Sequence, residues 1–198
     1  MKRYKMPLSI AIALPLAIAA FWLVSNSRAA TETPEYKVIR TDAKFEVRDY
    51  PALTVATTPM DKDGMNGGFR HLFRFITGRN ETSEKIEMTS PVLIATAEDR
   101  KTMSFIMPKK TVEKGVPKPS GENVSVDKVP ASRCAVLRFP GGRTAENEAK
   151  AIKALKTWLD AQKLVGKGEP LFAYYDPPWT PVFMRRNEVM IRIGRRHD

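Results

Sequence analysis

Two histidines and one cysteine are the only side chains in 198 residues of the types that most often ligate soft metals or attack as nucleophiles. His71 sits in a short run with Arg70 and Arg74, so an imidazole and two guanidinia lie within one turn of chain. His197 belongs to the polar tail and reads as solvated. Cys134 lies in Ala131–Phe139, a strand-like stretch, and reads as a small buried hydrophobe. Without another cysteine it makes no internal disulfide. This set assembles no ordinary zinc site without carboxylates. Asp61-Lys-Asp63-Gly64 hints at a calcium loop, but its twelfth position is Leu72 where glutamate is required. Gly64, Gly67 and Gly68 do not make a dinucleotide fingerprint, and no Gly-x-Ser-x-Gly elbow or triad is present. The chemistry on offer is binding rather than turnover, and an enzyme is not expected.

The elements that position these groups follow from periodicity. Residues 36–57 read as extended, with Phe45-Glu-Val-Arg48 alternating and Pro51 interrupting before Leu53-Thr-Val55. A turn-rich loop at 61–68 leads into a helix whose apolar face is expected to be Phe69, Leu72, Phe73 and Ile76, closed by Gly78. On that helix His71 falls about 150° from the centre of the apolar face, beside Arg70 and Arg74. Ile86–Ala97 and Met103–Met107 are expected to pair around Glu98–Lys101. Residues 108–123, rich in Pro, Gly and Lys, read as a connector. The order then recurs: Val124–Val126 and Ala135–Phe139 are extended, and Glu146–Lys163 is helical through Ala151, Ile152, Leu155, Trp158 and Leu159. Leu171–Tyr175 and Glu188–Ile193 are two final strands. Two strand-strand-helix-strand-strand units, about 36–107 and 124–193, would each expose an apolar sheet face, so pairing them makes one domain. Met60, Met65, Met88, Met103 and Met107 serve either an adaptable pocket or the core.

Lys2, Arg3 and Lys5 precede an uncharged run, Pro7–Val24, and Ser27-Arg-Ala29 offers a cleavage site. Residues 1–29 therefore read as a signal peptide or an N-terminal membrane anchor, with 30–198 as the exported, periplasm-type domain. The run is long for a cleaved core and short for a spanning helix, with Pro15 inside it, so both forms stay open. Hydrophobic content of 42% and charged content of 28% are those of an ordinary globular chain. The net charge is +11; without the four basic residues of 1–29 it is +7, which favours anionic partners. Nucleic acid is not expected, because the basic residues are scattered and no nucleic-acid module is present.

Several segments, taken in order, resemble the SOUL haem-binding family. They include Tyr36-Lys-Val-Ile, Phe45-Glu-Val-Arg-Asp-Tyr-Pro51, Phe75-Ile-Thr-Gly-Arg-Asn80 and Lys85-Ile-Glu-Met-Thr-Ser-Pro-Val92. Met103-Ser-Phe-Ile-Met-Pro108, Tyr175-Asp-Pro-Pro-Trp-Thr-Pro181 and Arg185-Arg-Asn-Glu-Val189 follow. The resemblance implies an α+β fold: a distorted antiparallel β-barrel with two helices, built from two ββαββ pseudo-repeats and similar to gyrase-inhibitor-like effector-binding domains. It implies non-covalent binding of haem or porphyrin, without turnover, in an apolar groove beside the first helix. Carried over by position, Phe69, Phe73 and Arg74 fall on that helix, and Trp179 and Thr180 on a loop at the groove's lip. If the ligand lies outside the helix, His71 is the candidate axial ligand of haem iron and Arg70 and Arg74 pair with the propionates. Otherwise His71 is a solvated surface residue. A binder of another flat apolar ligand, and a membrane-proximal interaction module without haem, are the competing readings.

Overall fold

The computed structural model describes residues 31–60, 64–97 and 100–194. The expected signal or anchor segment, the Asp61–Asp63 part of the loop, Glu98-Asp99 and His197 lie outside the described residues. Along the chain the elements are β1 (Lys37–Asp42), β2 (Phe45–Tyr50), β3 (Leu53–Pro59), α1 (Gly64–Ile76), β4 (Val92–Ala97) and β5 (Arg100–Ile106). Then come α2 (Lys109–Lys114), β6 (Ser125–Val129), β7 (Ser132–Phe139), α3 (Ala145–Ala161), β8 (Gly166–Tyr174), a 3-10 turn at Val182–Met184 and β9 (Asn187–Ile193). Among the described residues no helix is long and apolar enough to cross a membrane.

All nine strands form one antiparallel sheet in the order β1-β2-β7-β9-β8-β4-β5-β3-β6. Its two ends do not pair with each other, so the sheet is open. Two connections jump farthest along this order, β6 to β7 past Pro130 and β2 to β3 past Pro51. Pro51 cannot donate into a ladder, so β2 stops at Tyr50 and the chain resumes as β3 near the opposite end. Setting β1 aside, the order reads the same from either end once β2, β3, β4 and β5 are exchanged for β6, β7, β8 and β9. The middle of that order is the β4–β8 ladder, where Val92 faces Tyr174 and Ile94 faces Phe172.

Both longer helices pack on the sheet, α1 against β3 and β5, α3 against β7, β8 and β9. Under them lies the main core, with Leu72, Phe75, Phe105, Leu137, Leu155 and Phe172. Val55, Leu93, Ile106, Val136, Ala173 and Met190 form a second buried cluster. By strand alternation these point away from α1 and α3, so the twisted sheet must bend over that face to bury them. α3 is specified locally. Thr144 caps it by accepting from the Asn147 amide at 3.2 Å, Glu146 and Glu148 favour its positive end, and Ala151, Leu155, Trp158 and Leu159 are its buried stripe.

α1 differs from its expected packing. The buried stripe is Gly68, Leu72, Phe75 and Ile76, while Phe69 and Phe73 face outward. The side of the helix that carries Gly67 and Gly68 is the side that packs on the sheet, which turns Phe69 and Phe73 away from it. Gly68 faces Met60 and Met103 closely enough that a Cβ there would only make ordinary contact, at 3.4 and 3.6 Å, and Phe75 lies on the same buried side. Two smaller differences follow from proline and from unpaired backbone. Residues 86–91 are not in the sheet, β4 beginning only after Pro91, and the connector contains the short helix α2. The methionines divide: Met103 and Met107 are core, Met65 and Met88 are exposed.

Candidate functional site

α1 presents two different surfaces. On one side Met65, Phe69 and Phe73 recur every four residues, one above the other along the helix. The rings of Phe69 and Phe73 stack at 5.8 Å with 16° between their planes, and Phe69 meets the buried Phe105 edge-on at 5.5 Å. Yet Phe69 is 39% and Phe73 46% exposed. A stacked, core-braced pair of rings left this open to water is an apolar platform rather than packing. Arg70 is exposed on the adjoining face of the helix.

Arg143, which sequence reasoning missed, closes the Met65 end of the platform. Its Nη1 lies 3.7 Å from Met65 Sδ and its guanidinium 3.9 Å from the Tyr174 ring. Burial pulls the Arg143 pKa down from the usual guanidinium range, with Arg185 adding to that and Tyr174, Glu148 and Asp176 opposing it. The legible signal was Gly141-Gly142 before it, a turn that swings the side chain back over β8. Gly142 also lies against Val182, so the same loop joins the platform to the segment carrying Trp179. Trp179 is 81% exposed and Phe183 80%. Thr180, by contrast, is buried. Its amide donates to Pro177 O and its carbonyl accepts from Arg185 Nε at 2.9 Å, so it shapes the loop instead of presenting a side chain at a lip.

His71 and Arg74 belong to the other side of α1. Helical geometry sets His71 about 160° from both phenylalanines. There it is half-buried in a cleft of about 280 Å³ with Arg74, Arg79 and the 119–124 segment. The expected site residues are therefore split: Phe69, Phe73 and Arg70 on or beside the platform, His71 and Arg74 in the cleft. Small-molecule pockets begin at roughly 300 Å³, so this cleft does not enclose a tetrapyrrole. A flat ligand on the platform in turn has no imidazole beneath it.

A third constellation lies on the sheet face away from the helices. Glu188 is fully buried and accepts from Arg48 at 2.8 and 3.1 Å, from Arg186 at 2.6 and 3.0 Å and from the Tyr175 hydroxyl at 2.9 Å. Arg48 also donates to the Tyr50 hydroxyl at 3.0 Å and lies 4.3 Å from the Tyr36 ring. Burial alone would raise the Glu188 carboxyl, but the Arg48 and Arg186 guanidinia override it and hold it below the usual carboxylate range. Burial drives the Tyr50 and Tyr175 phenols up. Every acceptor is taken, and the network is structural.

Two remaining features are spent on packing. A shallow apolar depression beside α3 includes Phe45, Lys150, Lys153 and Trp158. Its aromatic faces are already used, since Phe45 and Trp158 lie parallel at 5.1 Å and Trp158 donates to Asp42 Oδ2 at 2.8 Å. Cys134 is buried, and that burial pushes its thiol up, as suits a small core residue. Among the described residues no three His, Cys, Asp or Glu side chains gather as a metal site.

Solved structures share this architecture at low identity. The C-terminal domain of EcmrR matches with a TM-score of 0.59 at 11% identity, over 81% of this chain and 98% of that one. A protein from Listeria innocua described as a hydrolase matches with 0.54 at 8%, over 79% and 94%. An uncharacterized conserved protein from Listeria innocua matches with 0.55 at 12%, over 76% and 92%. These likenesses establish the fold alone. A comparison with curated proteins finds no match. The family model described as SOUL heme-binding protein matches residues 31–192, nearly all of the domain built above, and the chain belongs to that family.

Proposed function

We propose that this protein binds haem or a related porphyrin reversibly on the Met65–Phe69–Phe73 platform, for buffering or transfer and without catalysing a reaction. The observation that carries the reading is the stacked Phe69–Phe73 pair, braced on Phe105 and open to solvent. A porphyrin is flat and apolar with carboxylates at one edge. The exposed surface of the two rings offers it an apolar seat, and Arg70 beside the stripe and Arg143 at its end supply charge for the propionates. Binding then rests on ring burial and charge, with no axial histidine. Haem, when bound, would supply the iron; the chain supplies the surface that keeps the macrocycle out of water. Hemin titrated into residues 30–198 is expected to shift the Soret band saturably at micromolar affinity or tighter, on the order of −8 kcal/mol. No saturable change at tens of micromolar hemin would overturn the proposal in favour of an interaction module.

The same reading extends to architecture and place. We infer two ββαββ pseudo-repeats, supported by the sheet order that reads alike from either end, in a sheet that curls toward a barrel without pairing its two ends. We place the domain in an exported compartment, supported by Lys2, Arg3 and Lys5 ahead of the uncharged run Pro7–Val24. A reporter fused after Asp198 is expected to be active only outside the cytoplasm. Activity confined to the cytoplasm would refute that placement.

A further inference from the structure

The cleft on the His71 side of α1 has a use of its own. His71, Arg74 and Arg79 converge there, and no acidic side chain lines it. The usual role for basic groups at a helix C-terminus is to satisfy its last carbonyls. Here those carbonyls are already taken. Phe73 O accepts from the Thr77 amide and hydroxyl, and Arg74 O from the Arg79 amide. Phe75 O accepts from Asn80 Nδ2 and Ile76 O from the Ile86 amide. Among the described residues no carboxylate pairs with His71, Arg74 or Arg79. Two guanidinia and an imidazole thus line one concavity without an ion pair among the described residues, the nearest acid in its wall segment being Glu122, which is not one of the lining side chains.

The walls are fixed before any ligand arrives. Asn80, itself buried, ties the end of α1 to Glu84 through its side chain and bridges to Pro119 through its backbone. Ser120 N donates to Arg79 O, and Glu81 N to Lys118 O, so the 118–120 segment is clipped against the turn that carries Arg79. Pro119 and Val124 add apolar wall, and Ser120 and Asn123 add polar groups.

We propose that this cleft binds a phosphoryl group carried on a small organic molecule, with Arg74, Arg79 and His71 on the phosphate oxygens and the substituent against Pro119 and Val124. Forked guanidinium donors match phosphate geometry, and a cleft of about 280 Å³ holds more than a bare phosphate and less than a tetrapyrrole. The site is distinct from the porphyrin platform and stands independently of it.

Calorimetry on the full chain with phenyl phosphate tests this, with inorganic phosphate and a short-chain, water-soluble phosphatidic acid as parallel probes. Phenyl phosphate is expected to bind saturably and more tightly than inorganic phosphate. Arg74→Ala and Arg79→Ala should each weaken it at least tenfold, and Arg79→Ala should leave hemin binding unchanged. Both arginines are exposed, so these variants keep the fold, and circular dichroism checks it. Tighter binding of the phosphatidic acid would place the ligand among lipid headgroups, and tighter binding of phenyl phosphate among soluble metabolites; either supports the site. No saturable heat with any probe to millimolar concentration, or an Arg74→Ala/Arg79→Ala protein that binds undiminished, would overturn it.

Discussion

Glu188→Ala is expected to destabilise the domain by about 3–5 kcal/mol in urea unfolding, the largest effect of any single substitution considered. The carboxylate is fully buried and shared by Arg48, Arg186 and Tyr175. Removing it strands the buried Arg48 guanidinium with only a neighbouring carboxylate, Glu46, and takes the ion-pair partner from Arg186, which is 24% exposed. The cost is mostly that of uncompensated buried charge, not the worth of the ion pairs themselves. Acidity should act in the same direction. The folded pKa of Glu188 lies below its unfolded value, so its contribution is fully present above about pH 4.3 and is lost as pH falls through the folded pKa. Glu188→Gln should therefore flatten the acid limb of a stability–pH curve. A loss under 1 kcal/mol, or an acid limb unchanged by Glu188→Gln, would show the network to be dispensable.

Phe73→Asp should weaken hemin binding about 30-fold or more, on the order of 2 kcal/mol, while His71→Ala changes it less than twofold. Phe73 is 46% exposed, so the aspartate is tolerated by the fold and the comparison is one of binding. The substitution removes one ring of the stacked pair and sets a negative charge where the ligand already carries carboxylates. His71 faces the opposite side of α1 and cannot reach iron in a porphyrin lying on Phe69 and Phe73. The informative opposite result is a His71→Ala protein that loses most affinity together with any low-spin spectral features. That would move the haem off the platform to the His71 side.

Much of the scaffold was legible in the sequence because its signals are local. Alternation marked β2 and β3, the spacing of Leu155, Trp158 and Leu159 marked α3, and Pro51 marked the break between β2 and β3. Sheet order was not legible, since nothing near Tyr50 says which strand Phe45–Tyr50 will pair with 87 residues later in β7. The site was half legible. Five of the expected residues lie on α1, and helical spacing set His71 off the apolar face, but Phe69 and Phe73 were assigned to the buried face that Gly68 and Phe75 share with Leu72 and Ile76. Glu188 escaped notice for a different reason. A lone acid beside Val189-Met190-Ile191 looks like an outward-facing strand position, and only the long-range arrival of Arg48 makes it an interior one.

The two outer strands of the open sheet bear on how copies of this chain behave toward each other. Among the described residues β1 offers unpaired backbone on its outer edge and two exposed apolar residues, Val38 and Ile39, the ingredients for joining strand to strand between molecules. It also carries the remedies. Lys37 and Arg40 flank the apolar pair, and the register shifts between Val38 and Arg40, so the edge is charged and kinked. At the far end β6 is only five residues long, carries Asp127 and Lys128, and stops against Pro130. Neither rim is flat or bare enough to template another chain. The domain therefore gains resistance to aggregation at high local concentration without closing its sheet.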